Sequence, residues 1–89
     1  TAPVLLCSRP NFFENPQESV LRRDVIMKTY QNARAAGDDN VFFVDGETYF
    51  GGFGAECCTV ACCHPTDLGF YRMAERLYGV VQTILNRSR

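Results

Sequence analysis

Val41-Phe42-Phe43-Val44 is an unbroken row of four apolar, partly β-branched residues closed by the turn formers Asp45-Gly46, and it reads as a short strand. Continuous rather than alternating hydrophobicity marks a strand covered on both faces, as in a parallel sheet. The same pattern occurs earlier in Pro3-Val4-Leu5-Leu6-Cys7-Ser8, which Arg9-Pro10-Asn11 ends. After a turn-rich stretch holding Asn15-Pro16, the segment from about Gln17 to Ala36 has helix-forming residues throughout. Leu21, Val25, Thr29 and Ala33 recur every four positions as a candidate apolar stripe, leaving Arg22, Arg23, Lys28 and Arg34 for the wet side. Gly37 stops this helix as its C′ residue, and Asp38-Asp39-Asn40 forms a polar turn. Strand, helix and strand make a βαβ unit with parallel strands and a crossover that is right-handed in ~98% of cases.

Outward from that unit, the residues from Gly46 to Pro65 include Gly46, Gly51, Gly52 and Gly54 and have no clear periodicity. A loop of this length is usually functional or disordered, so any site is expected here. Thr66 is a good N-cap, with Asp67 in the first turn. A last helix is expected from there to about Asn86, with Phe70, Met73, Leu77, Val80/Val81 and Ile84 as its apolar stripe. The expected fold class is therefore α/β: a βαβ unit plus a C-terminal helix, forming one partial domain over residues 1–89. Parallel sheets need several strands side by side, and two fully apolar strands leave this one incomplete. Either copies of the chain associate, or the chain is one piece of a larger α/β sheet; the expectation is the piece.

Composition narrows the function classes. A chain of 89 residues and 10.0 kDa holds one domain at most, and it buries only about 60% of its unfolded surface. Nine Lys+Arg against ten Asp+Glu leave a net charge of −1, which provides no broad field for a phosphate backbone, so no nucleic-acid partner is expected. The apolar runs are far shorter than the ~20 residues of a membrane helix, so no membrane partner is expected either. Thr1-Ala2-Pro3 shows no basic stretch followed by an apolar one, so no secretion signal is visible, and the compartment stays open.

Of the five cysteines, Cys57, Cys58, Cys62 and Cys63 fall close together and only Cys7 stands apart. Disulfide scaffolds spread their cysteines to staple distant loops, so a reducing interior or one local bridge fits better, with Cys58–Cys63 or Cys57–Cys62 as candidates. Cys7, inside a strand, reads as a small buried hydrophobe. The single histidine, His64, stands immediately before a helix N-terminus at the end of the long loop. That is the strand C-terminal side where open α/β sheets bind ligands, and a place where an imidazole can exchange protons near neutral pH. Asp45-Gly46-Glu47 reads as a turn rather than an acidic pair. Phe12, Phe13, Tyr49, Phe50 and Phe53 lie in loops and are expected to expose an apolar patch.

The run Cys63-His64-Pro65-Thr66-Asp67-Leu68-Gly69-Phe70-Tyr71-Arg72-Met73-Ala74 closely resembles the last block of the SGNH (GDSL-like) hydrolases, serine esterases and acylhydrolases with a flavodoxin-like three-layer α/β/α fold. Val4 to Asn11 and Val41 to Glu47 are similar to the C-terminal strands of that family, particularly its carbohydrate-esterase-like branch. The resemblance spans nearly the whole chain but only the family's final third. It implies that His64 is the general base of a serine esterase that needs no cofactor. The family's orienting carboxylate stands three residues before the histidine, and here that position is Ala61. A methyl group cannot accept the imidazole N–H. Either the site is inactivated, or a backbone carbonyl or a nearby acid such as Asp67 replaces the carboxylate.

The resemblance also implies a Gly-Asp-Ser nucleophile and glycine and asparagine oxyanion donors, none of which this chain contains. Ser8, Ser19 and Ser88 lie outside any such motif. The chain alone is therefore expected to be inactive, with the remainder of a hydrolase domain as its partner and an ester as substrate only in the complete enzyme. A rival reading takes Cys57, Cys58, Cys62, Cys63 and His64 as a zinc-binding or oxidation-responsive loop, weakened because neighbouring side chains in one short segment point apart. A third reading is a self-associating structural unit.

Overall fold

The computed structural model describes residues 2–10, 16–61 and 64–87. Strand β1 (Val4–Cys7), helix α1 (Pro16–Ala35) and strand β2 (Val41–Val44) form the expected βαβ unit, and α2 (Asp67–Arg87) is the last helix. The strands pair in parallel, Val4 with Val41 through Cys7 with Val44. Main-chain bonds carry the ladder past both ends, from the Val4 N–H to the Asn40 carbonyl at 3.0 Å and from the Ser8 N–H to the Val44 carbonyl at 3.1 Å. Gly37 terminates α1 with φ at 97°. Its N–H reaches the Arg34 carbonyl and that of Asp38 the Ala33 carbonyl, which is the paired closure of a Schellman motif.

Side chains alternate across a strand, so Val4, Leu6, Val41 and Phe43 face one side of the sheet and Leu5, Cys7, Phe42 and Val44 the other. Helix α1 covers the first face, where Tyr30 packs on Phe43 with ring centroids 5.9 Å apart. Helix α2 covers the second: Leu5, Met73, Leu77 and Val80 pack on the buried cluster of Val44, Tyr49, Phe50 and Cys58. Among the described residues the result is a helix–sheet–helix sandwich two strands wide.

Two expectations about the helices need correction. Leu21 and Val25 are 66% and 69% exposed. The inward side of α1 is instead Ser19, Arg23, Ile26, Met27, Tyr30 and Ala33. Residues four apart drift by roughly 40° per step on a helix of 3.6 residues per turn, so a row spaced by four winds off the face it starts on. Arg23, assigned to the wet side, turns inward because three carboxylates satisfy it. On α2, Met73, Leu77, Val80 and Ile84 face inward as expected, but Phe70 and Val81 lie on exposed flanks.

The long loop is also more ordered than its sequence suggests. It holds two short 3₁₀ turns, Gly46–Thr48 and Ala55–Cys58. A two-residue antiparallel ladder follows, with β3 (Thr59–Val60) on β4 (His64–Pro65). Among the described residues no helix is long and apolar enough to cross a membrane.

Candidate active site

The segment that carries His64 is held at both ends by close backbone approaches. At its start, the buried Ser8 hydroxyl accepts the Gly46 N–H at 2.6 Å. A methyl group on Gly46 would lie 2.0 Å from the Arg9 carbonyl oxygen, so only glycine lets the end of β2 pass the end of β1 this closely. Asp45 caps the turn by accepting the Glu47 N–H at 2.9 Å. Its other carboxylate oxygen and Glu47 accept Arg23 Nη1 at 2.7 and 2.9 Å, while Arg23 Nε donates to Asp24 at 2.8 Å. The hydrogen bonds to Asp45 and Asp24 hold the guanidinium still more firmly in its charged form. Asp45 and Glu47 are thus consumed by a turn and a salt bridge, as the turn reading expected.

At the far end, Thr66 makes three bonds at once. Its N–H donates to the Cys58 carbonyl at 2.8 Å, its hydroxyl donates to the Cys57 carbonyl at 2.7 Å, and the same oxygen accepts the Gly69 N–H at 3.2 Å as the N-cap of α2. A methyl on Gly69 would lie 2.2 Å from the Cys58 carbonyl oxygen. Between the ends, Arg72 Nη1 donates to the carbonyls of Phe50 at 2.5 Å and Phe53 at 3.0 Å. The N-cap was legible in the sequence. The bonds of Thr66 to Cys57 and Cys58 and the Arg72 clamp were not, although a glycine inside a helical pattern is itself a sign of close packing.

His64 lies in β4, exposed, opposite Val60 in the ladder. The N-terminal turns of α2 lie against the loop from Phe50 to Cys58, and its C-terminal turns share a cleft with Pro3 and Leu5. Helix α2 therefore runs antiparallel to the strands, which sets His64 at their C-terminal end. Ala61 sits at the turn of the hairpin with φ at 49°, the left-handed region. Among the described residues no carboxylate is hydrogen-bonded to His64, and Asp67 is exposed in the first turn of α2.

Both described serines are structural. Ser8 is engaged by Gly46, and the buried Ser19 donates to the Pro10 carbonyl at 3.5 Å while accepting Arg9 Nε at 3.1 Å; Ser88 lies outside the described residues.

Two further expectations are overturned. Cys7 is exposed at the end of β1, which among the described residues has a neighbour on one side only. Tyr49 and Phe50 are buried rather than part of an exposed patch, because the 3₁₀ turn folds them under α2. Phe53 alone of the described members is exposed as expected, and Phe12 and Phe13 lie outside the described residues. Burial pushes the Tyr49 phenol well above its usual pKa, and the neighbouring Cys7, by charge and by hydrogen bond, adds to the rise. Cys57 and Cys58 are free thiols, and both candidate bridges run to Cys62 or Cys63, which lie outside the described residues. Among the described residues no three His, Cys, Asp or Glu side chains gather as a metal site.

The fold resembles part of a larger protein. Over 94% of its length the chain superposes on the crystal structure of a putative GDSL-like lipase from Bacteroides ovatus, with a TM-score of 0.77 and 24% identity. The chain spans about a quarter of that protein, 26% of its length. No family model and no curated protein matches the chain. The likeness establishes the fold: a small α/β unit of two parallel strands with a helix between them and a C-terminal helix, built like one part of a GDSL-like lipase.

Proposed function

We propose that this chain is the histidine-bearing part of an SGNH-type serine ester hydrolase, acting on acyl or carbohydrate esters, whose serine and oxyanion donors come from the rest of the domain. The observation that carries this reading is the likeness in fold to a GDSL-like lipase. The resemblance of the run around His64 to that family's last block supports it. In the complete site the serine oxygen attacks the ester carbonyl as its proton passes to the His64 imidazole. The tetrahedral intermediate collapses with loss of the alcohol, which takes that proton, and water then repeats the sequence on the acyl-enzyme. Ala61 gives the imidazole no carboxylate partner, and loss of that partner can lower kcat by ~10⁴.

The test is hydrolysis of 4-nitrophenyl acetate by this chain alone and by its complex with the polypeptide encoded directly upstream. The chain alone is expected to do no better than free imidazole. The complex is expected to turn over slowly, to lose turnover with His64→Ala, and to gain up to ~10⁴ in kcat with Ala61→Asp. Turnover indifferent to His64 would remove the proposal.

A further inference from the structure

Helix α2 and strand β2 border a cleft of about 330 Å³ that the proposed reaction does not use. Tyr30, Phe42, Phe43, Val80 and Ile84 give it apolar walls, and no residue of the segment that carries His64 takes part in its lining. On α2 it extends from Arg76 to Arg87. Val80, near its centre, stands roughly 20 Å along the helix axis from Asp67, where that segment ends.

The cleft has cations and no anions. Arg76 and Arg87 line it, and no Asp or Glu does. Arg76 donates through Nε to the Thr48 hydroxyl at 3.1 Å, and the Arg87 guanidinium lies 5.4 Å from the centroid of the Phe42 ring. Among the described residues neither is paired with a carboxylate. A guanidinium held over a ring keeps its N–H donors in its own plane, where they remain available to an anion. Arg34 lies over the same ring at 6.0 Å, with Asp38 and Asp39 offsetting part of its charge. The remaining polar side chains of the wall are engaged: the Thr83 hydroxyl donates to the Gly79 carbonyl at 2.9 Å, and the Tyr30 hydroxyl accepts Arg34 Nε at 3.3 Å.

Gly79 is an independent sign that the space is kept open. Glycine is among the least favourable residues inside a helix, and in Gly69 the reason for it is close packing on the Cys58 carbonyl. Gly79 has no such reason, because a Cβ there would meet no atom within 4 Å. It lines the cleft, and any larger side chain at this position would take up room in it.

We infer that the cleft is a ligand site for a medium-chain carboxylate, with the carboxylate on Arg87 and the alkyl chain along Phe43 and Val80. Its volume is that of a small-molecule site, whose usual make-up is apolar walls with a few polar groups that fix orientation. Unpaired guanidiniums without a lining carboxylate select an anion, and their planar fork suits a carboxylate. Apolar walls give a bare inorganic anion nothing to bury. The site is separate from the proposed esterase centre and does not rest on it.

The test is NMR titration of this chain with heptanoate, and with heptan-1-ol and acetate as the two halves of its chemistry. Heptanoate is expected to shift the amides of Phe43, Gly79 and Thr83 saturably. Heptan-1-ol and acetate are each expected to bind about fivefold more weakly or less, as is heptanoate to Arg87→Gln. Gly79→Leu is expected to abolish binding without lowering the melting temperature, and Arg22→Gln, on the other helix, to leave it unchanged. Lack of saturation, shifts that map elsewhere, equal binding of heptan-1-ol, or full affinity in Gly79→Leu would each overturn the inference. Full affinity in a folded Arg87→Gln would do the same.

Discussion

The βαβ unit and the segment from Gly46 to Thr66 are held by different physics. The first rests on repetition: a ladder whose bonds are alike, and a helix that lays one side on a sheet. Losing one member leaves the others nearly unchanged. The second rests on single contacts, each made by one residue: Ser8 on Gly46, Arg72 on Phe50 and Phe53, Thr66 on Cys57, Cys58 and Gly69. Redundancy makes the first tolerant, and its absence makes the second brittle.

Gly69→Ala is the sharpest way to break that contrast. Alanine raises helix propensity by about 1 kcal/mol over glycine, so on an open helix face the change would stabilise. Here the added methyl meets the Cys58 carbonyl oxygen at 2.2 Å, and overpacking against backbone is expected to cost about 3 kcal/mol net. Gly79→Ala, in the same helix with nothing near its Cβ, is the control and should gain up to about 1 kcal/mol. Urea denaturation of both reads the difference; equal effects would mean that the α2 start is not packed on the 3₁₀ turn.

Next in size is Thr66→Ala. It removes the N-cap and the hydroxyl bond to Cys57, and should cost about 1–2 kcal/mol. A selective rise in amide exchange over Ala55–Val60 is expected with it, while β1 and β2 stay protected. If exchange rises uniformly, the loop is not a separate unit.

This difference also decides what the sequence could disclose. The strands were legible because four apolar residues in a row admit few alternatives. The end of α1 was legible because Gly37 followed by a polar turn is a local signal. The face of α1 was not: Leu21 looked like a core residue because a row spaced by four mimics a stripe, and Arg23 looked like a solvent residue because its partners Asp45 and Glu47 are distant in sequence. Tyr49 and Phe50 failed for the same reason, since burial in an irregular segment depends on what covers it. At the candidate site, His64 and the cap at Thr66 could be read from the chain, but the hairpin that presents the histidine could not, because two-residue strands leave no periodicity.

The alkaline limb of stability sharpens the comparison further. Burial raises the Tyr49 phenol above its unfolded value of 10.0, so the folded state prefers the neutral form. That contribution is complete below pH 10 and is lost as pH rises from there through the folded pKa. Tyr49→Phe should flatten the decline in melting temperature above pH 10 and leave the acid side unchanged. A decline that persists in the variant would point to other groups.

The smallest effect lies in the hairpin. Ala61 holds a φ of 49°, which costs a residue bearing a Cβ about 1 kcal/mol and glycine almost nothing. Glycine also loses more backbone entropy on folding, about 0.5–1 kcal/mol, so the two terms nearly cancel. Ala61→Gly should therefore change stability by no more than about 0.5 kcal/mol, whereas Ala61→Val, β-branched and poorly suited to positive φ, should cost more than 1 kcal/mol. Asp and Asn enter this region more readily than other side-chain-bearing residues. Ala61→Asp should consequently fold as well as the parent chain, to within about 0.5 kcal/mol. A carboxylate three residues before His64 is then compatible with the hairpin as it stands, and any gain in turnover from Ala61→Asp in the complex reports chemistry rather than refolding. A loss above 1 kcal/mol for Ala61→Asp would mean that the turn has been built around the methyl group.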